Sequence, residues 1–315
     1  MNVLYPPLAP FKSFHLAVTE GHSIYVEQSG SVNGIPVVFL HGGPCSGTRP
    51  SHRQFFNPDF FHIILFDQRG CGQSKPFGRI DGNTTADLIA DMEAIRQHLS
   101  IDTWVLFGGS WGAALALLYA QQYQQRVEAL VLRGVFLARR QDMDWFLVEG
   151  ANKIYPELFE DLLAALPEHA VNERVERLYQ TVCGADKNVA IKAAKAWAVW
   201  GSQLALGADY NGEEDSGDAE KLVAQVQMEL HYAKNHYFIE ENQILNQCGT
   251  LTDIPAVIIH GRQDLVCPLE AGWSLAHALP QADFNVLPTA GHIAQGDAMV
   301  DALVTTMDDL KKRTS

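Results

Sequence analysis

Long apolar runs are missing from these 315 residues: none reaches the roughly 18 needed to cross a bilayer, and Met1 to Pro10 has no basic stretch followed by an apolar one. A membrane-bound or exported protein is therefore not expected, and a cytoplasmic one is. Cysteine is scarce and scattered. Its 5 residues (Cys45, Cys71, Cys183, Cys248 and Cys267) show no C-x-x-C spacing, so neither a disulfide framework nor a metal site is indicated. Positive charge is in deficit: Lys and Arg total 23 against 37 Asp and Glu, a formal charge of −14. Such a surface repels nucleic acid and anionic lipid but not a small neutral or cationic substrate. Repeats and Pro/Gly/Ser-rich tracts are lacking too, and 47% hydrophobic with 19% charged residues is the composition of an ordinary globular chain.

What is present is a rhythm. Phe14 to Gln28 reads as two strands joined at Gly21, and Pro36–Leu40, His62–Phe66, Thr103–Phe107 and Val127–Leu132 are short continuous apolar runs suited to buried strands. Between them lie a helix opened by Thr84 and Thr85, with Leu88, Ile89, Met92, Ile95 and Leu99 at helical spacing, and a second from Trp111 to about Tyr123. This alternation predicts an α/β fold with a doubly wound, mostly parallel sheet. The rhythm stops near Leu137 and resumes with strand Ala256–His260, a helix from Leu269 to Leu279, strand Phe284–Leu287 and a last helix from about Gly296 to Lys312. The expected organisation is a core of residues 1–137 and 250–315 carrying an inserted helical cap, 138–249, with a cleft at the carboxyl ends of the strands.

Gly108-Gly109-Ser110-Trp111-Gly112 fits G-x-S-x-G and falls between a buried strand and a helix, the setting in which that motif makes a sharp turn exposing a nucleophilic serine. A serine hydroxyl needs a histidine to take its proton and a carboxylate to orient the histidine. Both must lie in loops after later strands, in the order serine, acid, histidine. Asp264 follows strand 256–260 and His292 follows strand 284–287, so Ser110, Asp264 and His292 form the candidate triad of an α/β-hydrolase fold. Asp253 precedes its strand, His260 ends one, and His277 sits inside a helix pattern; solvated or core roles suit these three better. His41-Gly42-Gly43-Pro44 follows another strand and can bring backbone N–H groups to an oxyanion. Gly43, or alternatively Gly42, and the N–H of Trp111 are the expected donors. The triad supplies a whole mechanism, so no metal or cofactor is expected.

With these residues in hand, the chain resembles the proline iminopeptidases over nearly its whole length. The likeness rests on Leu4-Tyr5-Pro6-Pro7, the segment at 41–44, Phe66-Asp67-Gln68-Arg69-Gly70-Cys71-Gly72 with Ser74, the elbow at 108–112, Leu132-Arg133-Gly134 with Phe136, and Gly291-His292. In the cap it rests on Asp144-Trp145-Phe146, Glu149-Gly150-Ala151, Ala196-Trp197-Ala198-Val199-Trp200 and Asn235-His236-Tyr237-Phe238. The resemblance implies cleavage of an N-terminal proline from small peptides through an acyl-enzyme. It also implies Phe136, Phe146 and Phe238 around the pyrrolidine ring, with Arg133 beside it. The family usually grips the substrate amine with two glutamates, at positions that here carry Gly201 and Lys234. Glu149, Glu229, Glu240 and Glu241 are the acids that could substitute. Without a substitute, a carboxylesterase or amidase acting on neutral acyl substrates is the alternative, and a binding protein that keeps the fold without turnover is a third. Cys45, where the family usually has glycine, is expected to narrow the entrance beside the oxyanion loop.

Overall fold

In a computed structural model that describes residues 2–167, 173–212 and 217–314, the apolar runs become strands of a single sheet. Its strands are β1 (Lys12–Ala17), β2 (Ser23–Gly30), β3 (Ile35–Leu40), β4 (Phe61–Phe66), β5 (Trp104–Ser110), β6 (Val127–Val135), β7 (Ala256–Gly261) and β8 (Asp283–Leu287). They lie in the order β1-β2-β4-β3-β5-β6-β7-β8, with β1/β2 and β2/β4 antiparallel and every later pair parallel. The order reverses between β3 and β5, so the loops leaving these two strands diverge and open a crevice at their carboxyl ends. Both β5 and β6 run three residues past the apolar runs that announce them, because Gly108, Gly109 and Ser110 still pair with Leu132, Arg133 and Val135. A backbone ladder needs no apolar side chain.

Helices cover both faces. On one lie α1 (Thr85–His98), α2 (Trp111–Gln122) and α9 (Leu269–Ala278). α1 starts at Thr84, whose hydroxyl and backbone N–H exchange hydrogen bonds with Asp87, a reciprocal cap worth about 1 kcal/mol. α2 is buried from Trp111 to Gln121, which is why its sequence shows no amphipathic stripe. The other face carries α10 (Asp297–Thr314) and the 3-10 turn Pro50–Phe55, which bury Met299, Leu303 and Met307 with Phe55 against the sheet.

Between β6 and β7 come α3 (Arg140–Leu147), α4 (Pro156–Ala164), α5 (Arg174–Val182), α6 (Lys187–Leu206), α7 (Ala219–Lys234) and α8 (Gln243–Asn246). All but α8, whose Ile244 joins the sheet's core, bury an apolar cluster of their own, including Leu147, Phe159, Leu178 and Trp200, each large side chain worth about 1.5–3 kcal/mol. α7 belongs to two cores: Val226 and Leu230 enter this cluster, Met228 and Tyr232 the sheet's. Among the described residues no helix is long and apolar enough to cross a membrane.

Candidate active site

Ser110 is the last residue of β5 and α2 begins at the next one. Its backbone sits at φ 57°, ψ −125°, a strained conformation costing on the order of 1–3 kcal/mol. The turn is possible because α2 starts hard against β3: a Cβ on Gly112 would fall 2.0 Å from the carbonyl oxygen of Leu40. Trp111, first in its helix, has no intrahelical acceptor for its N–H.

The loop after β3 lies directly on the serine, since a Cβ added at Gly42 would stand 3.4 Å from Ser110 Cβ and 3.9 Å from Ser110 Oγ. A buried ring of hydrogen bonds fixes that loop. Gln68 N donates to His41 Nε2 (3.0 Å), His41 Nδ1 donates to the Gly42 carbonyl (2.9 Å), Gln68 Nε2 donates to the His41 carbonyl (2.9 Å), and Trp111 Nε1 donates to Gln68 Oε1 (3.0 Å). Burial holds the His41 pKa below the usual value, and only a neutral imidazole can accept at Nε2 while donating at Nδ1. Gln68 thus ties the loop of residues 41–43 to the residue after the serine. The sequence places it in a striking-length match, 66–72, but gives it no role. Cys45 does not narrow the entrance: its side chain is buried toward the Gly70 carbonyl, at 3.6 Å, and joins the sheet's core.

His292 Nδ1 donates to Asp264 Oδ2 at 2.8 Å, while Asp264 Oδ1 accepts from the N–H groups of Val266 (3.0 Å) and Cys267 (2.8 Å). Burial raises the Asp264 pKa, but the neighbouring His292 and these hydrogen bonds outweigh it and leave the carboxyl below its usual value. A carboxylate at Nδ1 leaves Nε2 as the proton acceptor. Gly134 makes room for the pair: it has φ 50°, and a Cβ there would come within 3.2 Å of Asp264 Oδ2. Ser110 Oγ has Cys267 Sγ 4.0 Å away, and among the described residues no hydrogen bond joins it to His292. Such contacts commonly tighten only when substrate is bound. The rivals are not free to act as the base, although His260 Nε2 stands 3.6 Å from Asp264 Oδ2. His260 is wholly buried, donates from Nε2 to the Cys267 carbonyl (2.7 Å) and accepts at Nδ1 from Val135 N (3.3 Å), whereas Asp253 and His277 are exposed.

Above Ser110 opens a cavity of about 590 Å³, lined by Ser110, His292, Arg133, Phe136 and Phe146 among others. Phe238 is not in it; its ring packs on His231 and Tyr232, with centroids at 5.2 and 5.4 Å. Tyr237 lines the cavity instead, its ring 4.9 Å from Phe136 and 5.4 Å from Trp111. His236, Tyr237 and Phe238 have φ of 50°, 53° and 54°, and a left-handed turn redirects successive side chains in a way no strand or helix period reveals. Arg133 lies against Gly109 and donates from Nη1 to the carbonyl of His292, so it also holds the histidine's loop.

The carboxylates lining the cavity are Asp142 and Glu229. Asp142 is paired bidentately with Arg139. Among the described residues Glu229 has no cationic partner: it accepts from Trp197 Nε1 (2.7 Å) and Gln225 Nε2 (3.2 Å), and burial raises its pKa against these two bonds. Glu149 pairs with Lys153 on the surface, Glu241 accepts from Arg140 N, and Glu240 is exposed. Lys234 points away from the cavity, to Glu176 (3.2 Å) and over the Tyr179 ring (4.4 Å). Gly201 lines the cavity beside open space.

A family model described as alpha/beta hydrolase fold matches residues 35–298. A probable proline iminopeptidase of Leptolyngbya boryana is 43% identical over 310 residues, 98% of this chain and 97% of that one. The proline iminopeptidase of Neisseria meningitidis serogroup A is 42% identical over 98% of each chain. The chain belongs to the proline iminopeptidase family. As a member it is a serine hydrolase of the α/β-hydrolase fold. Solved structures agree on the fold: an esterase from Exiguobacterium antarcticum, 19% identical, superposes with a TM-score of 0.64 over 96% of this chain and all of its own (100%). A bromoperoxidase from Bacillus anthracis, 18% identical, gives 0.65 over the same shares.

Proposed function

We propose that this enzyme releases N-terminal proline from small peptides through an acyl-enzyme. Ser110 attacks the carbonyl carbon of the proline residue as His292 Nε2 takes its proton, and Asp264 stabilises the resulting imidazolium. The oxyanion is met by the N–H groups of Gly43 and Trp111, held in place by the His41, Gln68 and Trp111 ring of hydrogen bonds. His292 then protonates the leaving amine, and water, activated by the same histidine, hydrolyses the ester.

The observation that carries the proline reading is Glu229. The arm of the cavity under α6 and α7 is aromatic, lined by Phe136, Phe146, Trp197 and Tyr237, and Glu229 is its cation-free carboxylate. Such an arm suits a pyrrolidine ring bearing a secondary ammonium group, which gives the carboxylate its missing counter-charge. The case for a neutral acyl substrate rested on Gly201 and Lys234, and Glu229 supplies the negative charge those positions lack. The test compares kcat/KM for proline p-nitroanilide and N-acetylproline p-nitroanilide, with p-nitrophenyl butyrate alongside. A preference of about 10²-fold for the free amine is expected, since one partly buried charge pair is worth about 2–3 kcal/mol. Equal turnover of the free and acetylated anilides would replace this reading with the esterase one.

A further inference from the structure

The cavity does not end at Ser110. Its lining draws on both faces of the sheet: Phe136 and Tyr237 belong to the cluster on one face, whereas Leu4, Phe39, Phe55 and Phe107, which line it with His52, belong to the cluster that α10 covers and form its second arm. Three of these are aromatic rings of the core. Phe39 stacks on His52 with centroids 4.2 Å apart and on Phe107 at 5.6 Å, and Phe55 lies 5.7 Å from Phe107. His52 adds no charge: its Nδ1 accepts from Arg49 N (3.0 Å), and burial pushes its pKa down to about 3. The loop that follows the histidine, Ile293 to Gln295, borders the same arm, and Arg133 stands where arm and triad meet, against Gly109.

We infer that this second arm is the leaving-group site, and that it selects peptides whose second residue has an apolar side chain. The assignment rests on the proposed acyl-enzyme reaction. The first arm, with Glu229, takes the acyl half of the substrate, so the other half must extend to the opposite side of Ser110. The leaving nitrogen must also be within reach of His292, and the second arm is the part of the cavity that the His292 loop borders. An arm walled mainly by one leucine, three phenylalanines and a neutral imidazole, with Arg49 and Ser51 beside the imidazole, gains from a Leu or Phe side chain, gains nothing from glycine, and strips most of the water from a polar side chain.

The experiment has two arms of its own. First, kcat/KM is measured for the dipeptides Pro-Phe, Pro-Leu, Pro-Gly and Pro-Ser, whose scissile bonds have similar reactivity. Phe and Leu should exceed Gly and Ser by roughly 10- to 100-fold, as expected for burying an apolar side chain. Leu4→Asp should cut the Phe-to-Gly ratio by about tenfold. Ratios within threefold, or unaltered by Leu4→Asp, overturn the assignment. Second, the same site is read in the reverse direction with p-nitrophenyl butyrate as acyl donor and phenylalaninamide or glycinamide as acceptor. The amine nitrogen attacks the Ser110 ester and gives its proton to His292. The bond to Ser110 Oγ breaks, the serine regains the proton, and an amide is released. The proportion of amide to butyrate should be at least tenfold higher with phenylalaninamide at equal concentration, and equal proportions sink the proposal. This second measurement separates the two readings: if no proline dipeptide is cleaved, the proline reading fails, and acyl transfer alone decides the arm.

Discussion

The floor of the cleft is made by backbone, its roof by side chains. Below, the loop of residues 41–43, Ser110, Asp264 and His292 leave the ends of β3, β5, β7 and β8, neighbours in one parallel ladder apart from the intervening β6. Their separations are set by strand register, and a shift of one residue at any of them would misplace a reacting atom. Above, Trp197 comes from α6, Glu229 from α7 and Tyr237 from the turn after it, on helices that share a separate apolar cluster. The floor therefore admits little change in position, whereas a charge in the roof can move from one helix turn to another and still face the same cavity. A carboxylate at 229 with none at 201 or 234 is an arrangement of that second kind.

The floor is where the largest effects are expected. Ser110→Ala should lower kcat on every substrate by about 10⁵-fold or more and abolish labelling by a fluorophosphonate probe, with the fold retained. Asp264→Asn should cost on the order of 10⁴-fold, because an amide lets the wrong histidine tautomer form. Anilide and ester kinetics check both. Near-normal kcat in Asp264→Asn would mean that the 2.8 Å contact to His292 Nδ1 does not orient the base. Because the floor's chemistry is shared, both variants should fail equally on free-amine and acetylated substrates.

In the roof the expected effect is smaller and selective. Glu229→Gln should reduce kcat/KM for proline p-nitroanilide by about 10²-fold, mostly through KM, and leave N-acetylproline p-nitroanilide within about threefold. The pH dependence carries the same signature. Burial raises the Glu229 pKa, so as pH falls through that raised value the group takes up a proton and its attraction for an ammonium disappears. KM for the free amine should rise on that limb, KM for the ester should not, and the limb should be missing in Glu229→Gln. An unchanged limb in the variant would assign it to another group.

How far each region could be read from the sequence follows from the same contrast. The elbow and the loops that carry Asp264 and His292 could be proposed as a candidate site because each follows a recognisable apolar strand, and chain order places them at one sheet edge. Gln68 was not, since its hydrogen bonds to His41 and Trp111 link residues 27 and 43 positions away. In the roof, the sequence shows an inserted helical stretch but neither the bounds of α7 nor which of its faces looks into the cleft, because α7 buries apolar residues in two clusters. A single amphipathic stripe would have marked the inner face, and two stripes leave the polar positions between them ambiguous. Phe238 and Tyr237 could not be told apart for a different reason: the three left-handed residues in their turn follow no periodic rule.

The smallest expected effect is also the sharpest test of which face of α7 matters. Glu229 and Lys234 are five residues apart on one helix, and at 3.6 residues per turn that separates them by about 140° around its axis. Glu229 looks into the cavity, while Lys234 pairs with Glu176 and lies over Tyr179 on the outer side. Lys234→Glu would place at 234 the glutamate that the resemblance implies, and if sequence position alone decided function it should improve free-proline turnover. From the structure it should change kcat/KM for proline p-nitroanilide by less than about twofold. Its cost falls on stability instead: the pair with Glu176 becomes a repulsion and the contact with the Tyr179 ring is lost, together about 0.5–1 kcal/mol for such partly exposed groups. Thermal unfolding should accordingly come about 1–3 °C lower. A gain approaching 10²-fold in free-amine activity would show that position 234 reaches the substrate, and the amine would then have to be placed against that end of α7 rather than against Glu229.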